Sequence, residues 1–392
     1  MQFNINNILE SLLSRIEKEG YGGYDPWDGL NSKFVDSNSS KFLKLLIFHL
    51  NSHSPFNLRP FLGVKKTVNA KGLALMIETY INLFVKYNKD IYLEKIEKLV
   101  MMLLKLRSES ERNLCWGYPF PWETPHRSLD KYSPNVVTTG FIVRSLDKYL
   151  NLVPRKTIKT MILSCSQFVI DDLNMHTSKE GICFSYTPRD TYQVINASLL
   201  ATEILSCAYK IKKDKKIRNL CELSLKFVFY NQRDDGSWDY ALTHKTGLGL
   251  EKGGPSQVDW HQGFVLDSIY NINKNIGNDF SHIREPFVKG INFYKRKQFT
   301  EQGQSYWRWP RLWPADIHNQ SQGVITFSKY QKYDSELGPL SDRILDWTLK
   351  NLYSRSDYFY FRKWPFLTIK VPYMRYSQIW MANALSFYIN GK

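Results

Sequence analysis

The sequence predicts an all-α fold built from repeated helical hairpins, and three observations lead to this prediction. Apolar residues recur at helical spacing over most of the chain, and the helices that they mark come in pairs joined by short links. The paired unit returns about every sixty residues, a period typical of stacked helical hairpins. The links from one pair to the next are long and rich in aromatic residues. Long links in a compact domain usually carry function, so we expect the functional site among them.

The hairpins follow one another along the chain from residue 71. They are Lys71–Lys89 with Ile91–Leu106, Asn135–Leu150 with Lys156–Ile170, Tyr192–Lys210 with Lys216–Phe229, Gln257–Ile272 with Ser281–Lys295, and Ile317–Lys329 with Leu340–Leu352. A last helix, Met374–Ile389, has no partner after it, and the helix Lys41–Leu50 has none before it. We expect these two helices to pair and close a ring. The prediction is one domain over residues 1–392, with an N-terminal helix and loop in 1–39 and the ring of hairpins in 40–392.

The long links all lie between the end of one hairpin and the first helix of the next. They are Ser108–Pro134, Asp171–Thr191, Asn231–Ser256, Gln298–Asp316 and Tyr353–Tyr373. We therefore expect them on one face of the fold, where the first helices also point their N-termini.

Composition and charge restrict the class of protein. The chain has 392 residues, of which 43% are apolar and 15% aromatic, and this is ample for a buried core. Its formal net charge of +16 favours a polyanionic partner, which can be nucleic acid, an anionic membrane face or an acidic glycan. Standard nucleic-acid-binding signatures are absent from the sequence, and so is an apolar run of the ~18 residues that a membrane span requires. The expected partner is an anionic sugar or glycan, free or lipid-linked, with peripheral membrane contact.

The cysteines and histidines indicate neither disulfides nor a metal. Five cysteines without CxxC spacing are typical of reduced thiols in a cytoplasmic protein, and the charged, amphipathic first twenty residues do not resemble a signal peptide. The single HxxxH pair, His49 and His53, has no cysteine or carboxylate beside it to complete a ligand set. We expect no metal and no cofactor.

The long links have a similar composition, in which aromatic residues stand close to charged ones. Flat rings stack on sugar faces, while arginine forks hold hydroxyls and carboxylates. The candidate binding residues are Asp25, Asp28, Trp116, Tyr118, Trp122, Tyr186, Trp238, Trp307, Arg308, Arg311, Arg362 and Arg375. The alternative is structural: the aromatics fill the core, the two aspartates stabilise turns, and the arginines pair with the protein's own carboxylates.

Alternating hairpins with long links on one face resemble the (α/α)6 toroids. This fold class includes six-hairpin glycosidases, polysaccharide lyases, glucuronyl C5-epimerases, N-acylglucosamine 2-epimerases and terpenoid cyclases. The resemblance covers roughly residues 40–390 and implies the fold without selecting a reaction. Residues Gln232–Trp238 also resemble the QxxxGxW element of squalene-type cyclases, but the DxDD acid motif of those enzymes is absent. An isoprenoid-processing role is therefore the less favoured alternative.

The chain is also similar to uncharacterised proteins of bacterial surface-polysaccharide and lipopolysaccharide gene clusters. The matching segments are Tyr24–Ser32, Trp116–Trp122, Pro134–Thr139, Asp316–His318 and Pro372–Gln378. This resemblance implies a role in capsule or O-antigen biosynthesis.

Two Asp-x-His sequences provide the favoured candidates for proton transfer. Asp259 with His261, and Asp316 with His318, stand at the entrances of successive first helices. Histidine gives or takes a proton near neutral pH, and two imidazoles facing one cavity would suit removal of a proton from a sugar carbon and its return on the other face. The structural alternative is that each aspartate caps its helix and each histidine binds a loop carbonyl.

Two other schemes use different residues. Glycoside cleavage needs a carboxylic acid and a carboxylate across the bond, and Asp25, Asp28, Glu123, Asp235 and Asp316 are the candidates. β-Elimination from a uronate needs a base and an arginine, which Tyr373 and Arg375 can supply. The sequence thus predicts a carbohydrate-active enzyme, a sugar epimerase, glycoside hydrolase or polysaccharide lyase, and the alternative from another class is a non-catalytic glycan-binding or assembly factor.

Overall fold

The computed structural model describes residues 3–36, 38–109, 112–123, 128–242, 257–354 and 356–392. Parts of the predicted links Ser108–Pro134, Asn231–Ser256 and Tyr353–Tyr373 lie outside these residues. Helices dominate the described residues. They are α1 Ile5–Lys18, α2 Lys41–His53, α3 Ala70–Tyr87, α4 Ile91–Lys105, α5 Val136–Leu152, α6 Lys156–Asp171, α7 Ile195–Lys212, α8 Lys215–Tyr230, α9 His261–Asn275, α10 Arg284–Lys297, α11 Ile317–Tyr330, α12 Leu337–Leu352 and α13 Trp380–Gly391.

Short antiparallel strands decorate the links between the helices. They are β1 Gly22–Gly23 with β2 Thr67–Val68, β3 Trp122–Glu123 with β4 Ser128–Leu129, β5 Met175–Ser178 with β6 Gly181–Phe184, and a three-stranded sheet of β7 Ala315–Asp316, β8 Arg362–Lys363 and β9 Thr368–Ile369. Two 3-10 turns, Asp28–Asn31 and Phe280–His282, and a π-helical turn, Met374–Ile379, complete the secondary structure of the described residues.

The chain forms two compact units. The first unit comprises Met1–Lys105, Tyr118–Tyr132 and Phe299–Lys392, and the second comprises Leu106–Gly117 and Ser133–Gln298. Each unit is described by itself below. The prediction of a single domain over 1–392 stays a prediction.

In the second unit, the first helices of the hairpins pack on one another through both apolar and polar side chains. Helix α7 lies against α5, α8 and α9. A buried ion pair joins Arg144 of α5 to Glu203 of α7, with Nε–Oε1 and Nη2–Oε2 distances of 2.7 and 2.5 Å. Ser268 and Asn271 of α9 donate further hydrogen bonds to Glu203. This network satisfies the buried charges at the centre of the unit.

In the first unit, α13 packs mainly against α1, α3 and α11, whereas α2 packs mainly on the 3-10 turn at Asp28–Asn31 and on β3. The expected pairing of the Lys41–Leu50 helix with the last helix is therefore wrong, because α1 takes that place. The apolar residues Leu9, Leu12 and Ile16 of α1 form one buried stripe, as expected for a helix that packs on a neighbour through one side.

Candidate active site

The Asp259–His261 pair forms at the start of α9 in the second unit. The helix begins at His261 rather than at the predicted Gln257, and Oδ1 of Asp259 accepts a hydrogen bond from the His261 backbone N–H at 3.1 Å. The same oxygen lies 2.5 Å from Nδ1 of the His261 ring. The other oxygen, Oδ2, accepts a hydrogen bond from Nε2 of Gln257 at 2.7 Å. Asp259 is fully buried, and its carboxylate is held between His261 and Gln257.

Aromatic rings surround the imidazole of His261. Ring centroids of Tyr240, Trp260 and Phe264 lie 4.5, 4.9 and 5.6 Å from its own. The side chain keeps 14% of its surface exposed. No hydrogen bond within the described part of the chain reaches its Nε2. The ring is therefore fixed through Nδ1 and presents Nε2 from an aromatic cage.

The charge of Asp259 is stabilised despite its burial. Burial alone would raise the pKa of this carboxyl, but His261 and the hydrogen bonds from His261 and Gln257 outweigh it and hold the pKa below its usual value. A carboxylate on Nδ1 fixes the tautomer that has a lone pair on Nε2, and it also stabilises the imidazolium that forms when Nε2 takes a proton. This arrangement can act as a general acid or base.

The other predicted residues of the second unit have mainly structural surroundings. Trp116 and Trp238 are completely buried, and Nε1 of Trp238 donates to the carbonyl of Val228 at 2.9 Å. Asp235 is exposed and caps a turn, where its Oδ1 accepts from the N–H of Ser237 at 3.0 Å. The half-buried Tyr186 accepts a backbone hydrogen bond from Val136, at the start of α5. The two tryptophans thus fill the core of the unit, as the structural alternative expected.

In the first unit, the N-terminal aspartates belong to a buried network of two ion pairs. Arg375 binds Asp25 through two hydrogen bonds, Nε–Oδ2 at 2.6 Å and Nη2–Oδ1 at 2.9 Å. Arg59 binds Asp28 with an Nε–Oδ1 distance of 2.5 Å, and its Nη1 donates to the Tyr373 hydroxyl at 2.9 Å. All five residues are buried. The network joins two of the five segments that carry the surface-polysaccharide resemblance, Tyr24–Ser32 and Pro372–Gln378.

Burial changes the proton affinities in this network. It raises the pKa of Asp28 to about 6, although Arg59 pulls in the opposite direction. Burial also raises the pKa of Tyr373 to about 12. A tyrosine base needs a lowered pKa, so these surroundings disfavour the elimination scheme that used Tyr373 as the base.

Aromatic rings pack around the Arg375 guanidinium. The carbon Cζ of Arg375 lies 5.5, 5.8 and 5.6 Å from the ring centroids of Trp27, Tyr118 and Tyr376. Trp122 packs on Trp27 with a centroid distance of 5.3 Å. Arg375 is also paired with Asp25 through two hydrogen bonds. It therefore fits the alternative in which the arginines pair with the protein's own carboxylates.

The second Asp-x-His pair, Asp316 and His318, is more deeply buried than the first. Oδ1 of Asp316 caps α11 by accepting from the His318 N–H at 2.8 Å. Its Oδ2 accepts from Nε of Arg362 at 2.5 Å. The His318 ring lies between Tyr376 and Trp380, with centroid distances of 4.6 and 4.4 Å. Only 3% of His318 is exposed, so this imidazole is part of an aromatic stack.

The segment 306–313 forms a tight hairpin that leaves charged and aromatic groups at the surface of the first unit. The backbones of Arg308 and Arg311 pair with each other, and the Arg308 guanidinium lies 4.5 Å from the Trp307 ring. Arg311 is exposed, and no ion pair joins it to another described residue. Asn319 of α11 holds the base of the hairpin by donating to the carbonyl of Tyr306 at 3.0 Å. Of these three predicted binding residues, Arg311 is exposed, whereas Trp307 and Arg308 are half-buried.

Glu123 lies in β3 of the first unit and is 94% buried. Among the residues that the structure describes, none forms a hydrogen bond or ion pair with its carboxylate. The role of Glu123 as an acid or base stays a prediction.

Sequence reasoning missed three residues that complete these sites: Arg59, Gln257 and Tyr240. Arg59 lies 31 positions from its partner Asp28 in the sequence, and no local pattern marks such a pair. Gln257 stands two residues before Asp259, and its polar amide next to an Asp-x-His motif was the available signal. In the described ranges, no group of three or more His, Cys, Asp or Glu residues is arranged to hold a metal ion.

Comparison with solved structures identifies the fold. The sequence matches no protein-family model and no curated protein. A cellobiose 2-epimerase from Bacillus thermoamylovorans is similar in structure, with a TM-score of 0.65, 12% identity and 98% of each chain covered. A GH76 α-mannanase from Bacteroides thetaiotaomicron has a TM-score of 0.63 at 10% identity, over 99% of this chain and 96% of the mannanase. A polysaccharide lyase has a TM-score of 0.56 at 10% identity, over 81% and 88% of the two chains.

These similar structures confirm the predicted fold class: the chain is all-α and of the (α/α)6 toroid type. At such low identity the similarity extends to the fold alone. No helix in the described part of the chain is long and apolar enough to cross a membrane.

Proposed function

We propose that the chain is a carbohydrate-active enzyme of bacterial surface-polysaccharide biosynthesis that performs acid/base chemistry on an anionic sugar. The observation that carries this proposal is the Asp259–His261 pair, in which a buried carboxylate fixes Nδ1 of a partly exposed imidazole. The aromatic rings around it suit a sugar face. Proteins of similar fold named as sugar epimerases, hydrolases and lyases support the substrate class.

His261 is the proposed proton carrier. Its Nε2 removes a proton from a sugar carbon next to a carbonyl or carboxylate, so that a C–H bond breaks, an N–H bond forms and the electron pair moves to the carbonyl oxygen. Return of a proton to the other face of that carbon completes an epimerisation. Departure of an oxygen substituent from the neighbouring carbon completes an elimination. Both reactions share the first step, and Asp259 stabilises the imidazolium in each.

The anionic character of the proposed substrate follows from charge. The chain carries a formal net charge of +16, and Arg308 and Arg311 lie on the hairpin 306–313 beside the Trp307 ring. Arginine forks bind carboxylates with two parallel hydrogen bonds. A glycan that carries uronic acid groups fits this combination of ring and charge.

The proposed setting is the cytoplasmic face of the membrane, where the glycan is lipid-linked. Support comes from the resemblance to proteins of surface-polysaccharide clusters, whose matching segments Tyr24–Ser32 and Pro372–Gln378 contribute to the buried Asp25–Arg375 network. All five cysteines are buried free thiols, as a reducing compartment permits.

Proton exchange provides the test. We would incubate the protein in heavy water with reducing disaccharides and with uronic acid oligosaccharides, and follow them by NMR. Deuterium at a sugar carbon identifies epimerisation, and a new unsaturated uronate identifies elimination. If no deuterium enters and no product forms from any of these sugars, the proposed chemistry is wrong for these substrate classes.

Variants test the assigned residues. His261→Gln and Asp259→Asn should each reduce turnover by about 10²-fold or more, since general acid/base catalysis contributes roughly 10²–10⁴-fold. Sugar binding should stay within about tenfold. His282→Gln provides the matched control, because His282 is an exposed histidine of the same unit whose Nδ1 only contacts the carbonyl of Asp279. Unchanged turnover in His261→Gln would remove this residue from the mechanism.

The second candidate is a non-catalytic glycan-binding factor. The hairpin 306–313 favours it, because Trp307, Arg308 and Arg311 can bind an acidic sugar without any proton transfer. Under this function, Arg308→Gln with Arg311→Gln would abolish glycan binding, and no sugar would exchange deuterium.

A further inference from the structure

An exposed apolar stripe runs along α2 in the first unit. Phe42, Leu46 and Leu50 follow one another at a spacing of four residues and are 75%, 42% and 54% exposed. Residues four apart lie on the same side of a helix. The opposite side of α2 carries the buried Ile47 and Phe48. The helix therefore carries apolar residues on both its inner and its outer side.

The loops that flank α2 add three more exposed aromatic rings. Phe34, Phe56 and Phe61 are each more than half exposed. The Lys33 N–H, before α2, donates a hydrogen bond to the Leu62 carbonyl, after α2, at 3.1 Å. This bond holds the loop that carries Phe34 against the loop that carries Phe61. Four of the five exposed phenylalanines among the described residues fall within residues 34–61. Such a concentration of exposed apolar residues marks an interaction surface.

Positive charges accompany the apolar residues. The segment 33–66 contains the lysines Lys33, Lys41, Lys44, Lys65 and Lys66, and Asp36 is its single acidic residue. Lys66 pairs with Glu19, and Arg59 is buried against Asp28. The segment thus combines a net positive surface with apolar side chains that face outward.

We infer that this surface, named the α2 face and formed by Phe34, Phe42, Leu46, Leu50, Phe56 and Phe61 with the surrounding lysines, docks the protein on an anionic lipid membrane. Phenylalanine and leucine enter the boundary between headgroups and acyl chains, while lysines attract anionic headgroups. A second copy of the chain fits this surface less well. A symmetric dimer would bring the same lysines together, and like charges oppose each other across an interface.

The α2 face lies next to the aromatic cluster of the first unit, which is formed by the rings of Trp27, Tyr118, Trp122 and Tyr376 near Arg375. The Phe48 ring, on the inner side of α2, packs on Trp122 with a centroid distance of 5.7 Å, and Trp122 packs on Trp27. Docking would therefore place this cluster close to the lipid surface from which a lipid-linked glycan emerges. The inference rests on the part of the proposed function that puts the protein at a membrane, and it is independent of the sugar chemistry.

Vesicle sedimentation tests the inference. The full-length protein should pellet with vesicles of phosphatidylcholine that contain about 30 mol% phosphatidylglycerol, and much less with pure phosphatidylcholine. Raising the salt from about 0.1 M to about 0.5 M should weaken binding, since it screens the lysines. The triple variant Phe42→Gln, Leu46→Gln and Leu50→Gln should lower the partition constant by at least about tenfold, because it removes the inserted apolar area.

A matched control uses exposed apolar residues elsewhere. Phe366→Gln with Leu367→Gln, also in the first unit, should leave vesicle binding unchanged, although these residues are 101% and 47% exposed. The inference is overturned if the wild-type protein stays in the supernatant, or if the triple variant binds as well as the wild type. It is also overturned if sedimentation shows a dimer that the triple variant dissociates and neither protein binds vesicles.

The two proposals fail separately. In the triple variant, turnover of a soluble sugar should equal that of the wild type, because the changed side chains are exposed on α2 and none belongs to the Asp259–His261 pair or to the rings around it. A protein that binds vesicles but exchanges no deuterium into any sugar would contradict the proposed chemistry alone. A protein that is active on soluble sugars and never binds vesicles would contradict the docking inference and the proposed membrane setting, and it would leave the proposed sugar chemistry standing.

Discussion

The two Asp-x-His pairs differ in how each aspartate uses its oxygens. In Asp259, Oδ1 contacts both the backbone N–H and the ring Nδ1 of His261. In Asp316, Oδ1 caps the helix and Oδ2 is paired with Arg362, so the carboxylate is occupied without the His318 ring. The first arrangement orients an imidazole for proton transfer, and the second anchors the start of α11.

Sequence reasoning found both pairs but gave them equal weight. Their residue types are the same and both pairs stand at predicted helix starts, although their registers differ by about one turn, and this difference did not rank one pair above the other. The difference comes from Arg362, which lies 46 positions from Asp316 in the sequence, and from burial by Tyr376 and Trp380. Partners that are distant in sequence have no local signature, so the roles of the two histidines could not be distinguished before the structure.

Arg59→Gln is the most informative substitution at the residue scale. It removes the ion pair with Asp28 and the hydrogen bond to Tyr373, and it leaves a buried carboxylate without its cation. We expect a loss of about 3–5 kcal/mol in the free energy of unfolding, as for other broken buried pairs. Urea denaturation measures it. The control is Lys350→Gln, which breaks an exposed pair with Asp346 and should cause no measurable change.

At the scale of elements, the helices were predictable and the links were not. The predicted bounds of most helices agree with the structure to within about three residues, because amphipathic spacing and capping residues such as Asn135 and Asp316 act locally. The small sheets went unpredicted, since their strands span only two to four residues. The choice between α1 and α2 as the neighbour of α13 depended on packing between distant segments.

Close packing between helix α10 and the link that contains Trp238, both in the second unit, gives the next prediction. Gly290 of α10 lies against the buried Trp238, and a Cβ added to Gly290 would come within 2.5 Å of the Trp238 ring. Gly290→Ala should therefore lower the free energy of unfolding by about 1–3 kcal/mol through overpacking. Gly22→Ala is the control, because its added Cβ would have neighbours at ordinary contact distances of 3.5 Å. Equal stability of the two variants in urea denaturation would contradict this account of the packing.

At the scale of the whole molecule, two buried aspartates should give opposite pH dependences of stability. The folded-state pKa of Asp28 is raised to about 6, so its contribution is complete below pH 3.8 and is lost as pH rises through 6. The folded-state pKa of Asp259 is lowered, so its contribution is present above pH 3.8 and is lost as pH falls below that value.

Urea denaturation between pH 3 and pH 8 measures both contributions. The stability of the wild type relative to Asp28→Asn should fall by roughly 2 kcal/mol between pH 4 and pH 7, since one pKa unit corresponds to about 1.4 kcal/mol. The stability relative to Asp259→Asn should instead rise between pH 3 and pH 5. If both stability differences changed with pH in the same direction, the pKa shifts assigned to Asp28 and Asp259 would be wrong.

The contact between Phe48 and Trp122 has a spectroscopic consequence. Indole fluorescence responds to the polarity and the rigidity of its surroundings, and Trp122 lies between Phe48 of α2 and Trp27 of the aromatic cluster. Any displacement of α2 on a lipid surface would change the environment of these indoles. The protein therefore contains its own optical probe, and a comparison of Trp122→Phe with the unaltered chain would assign the signal without an attached dye.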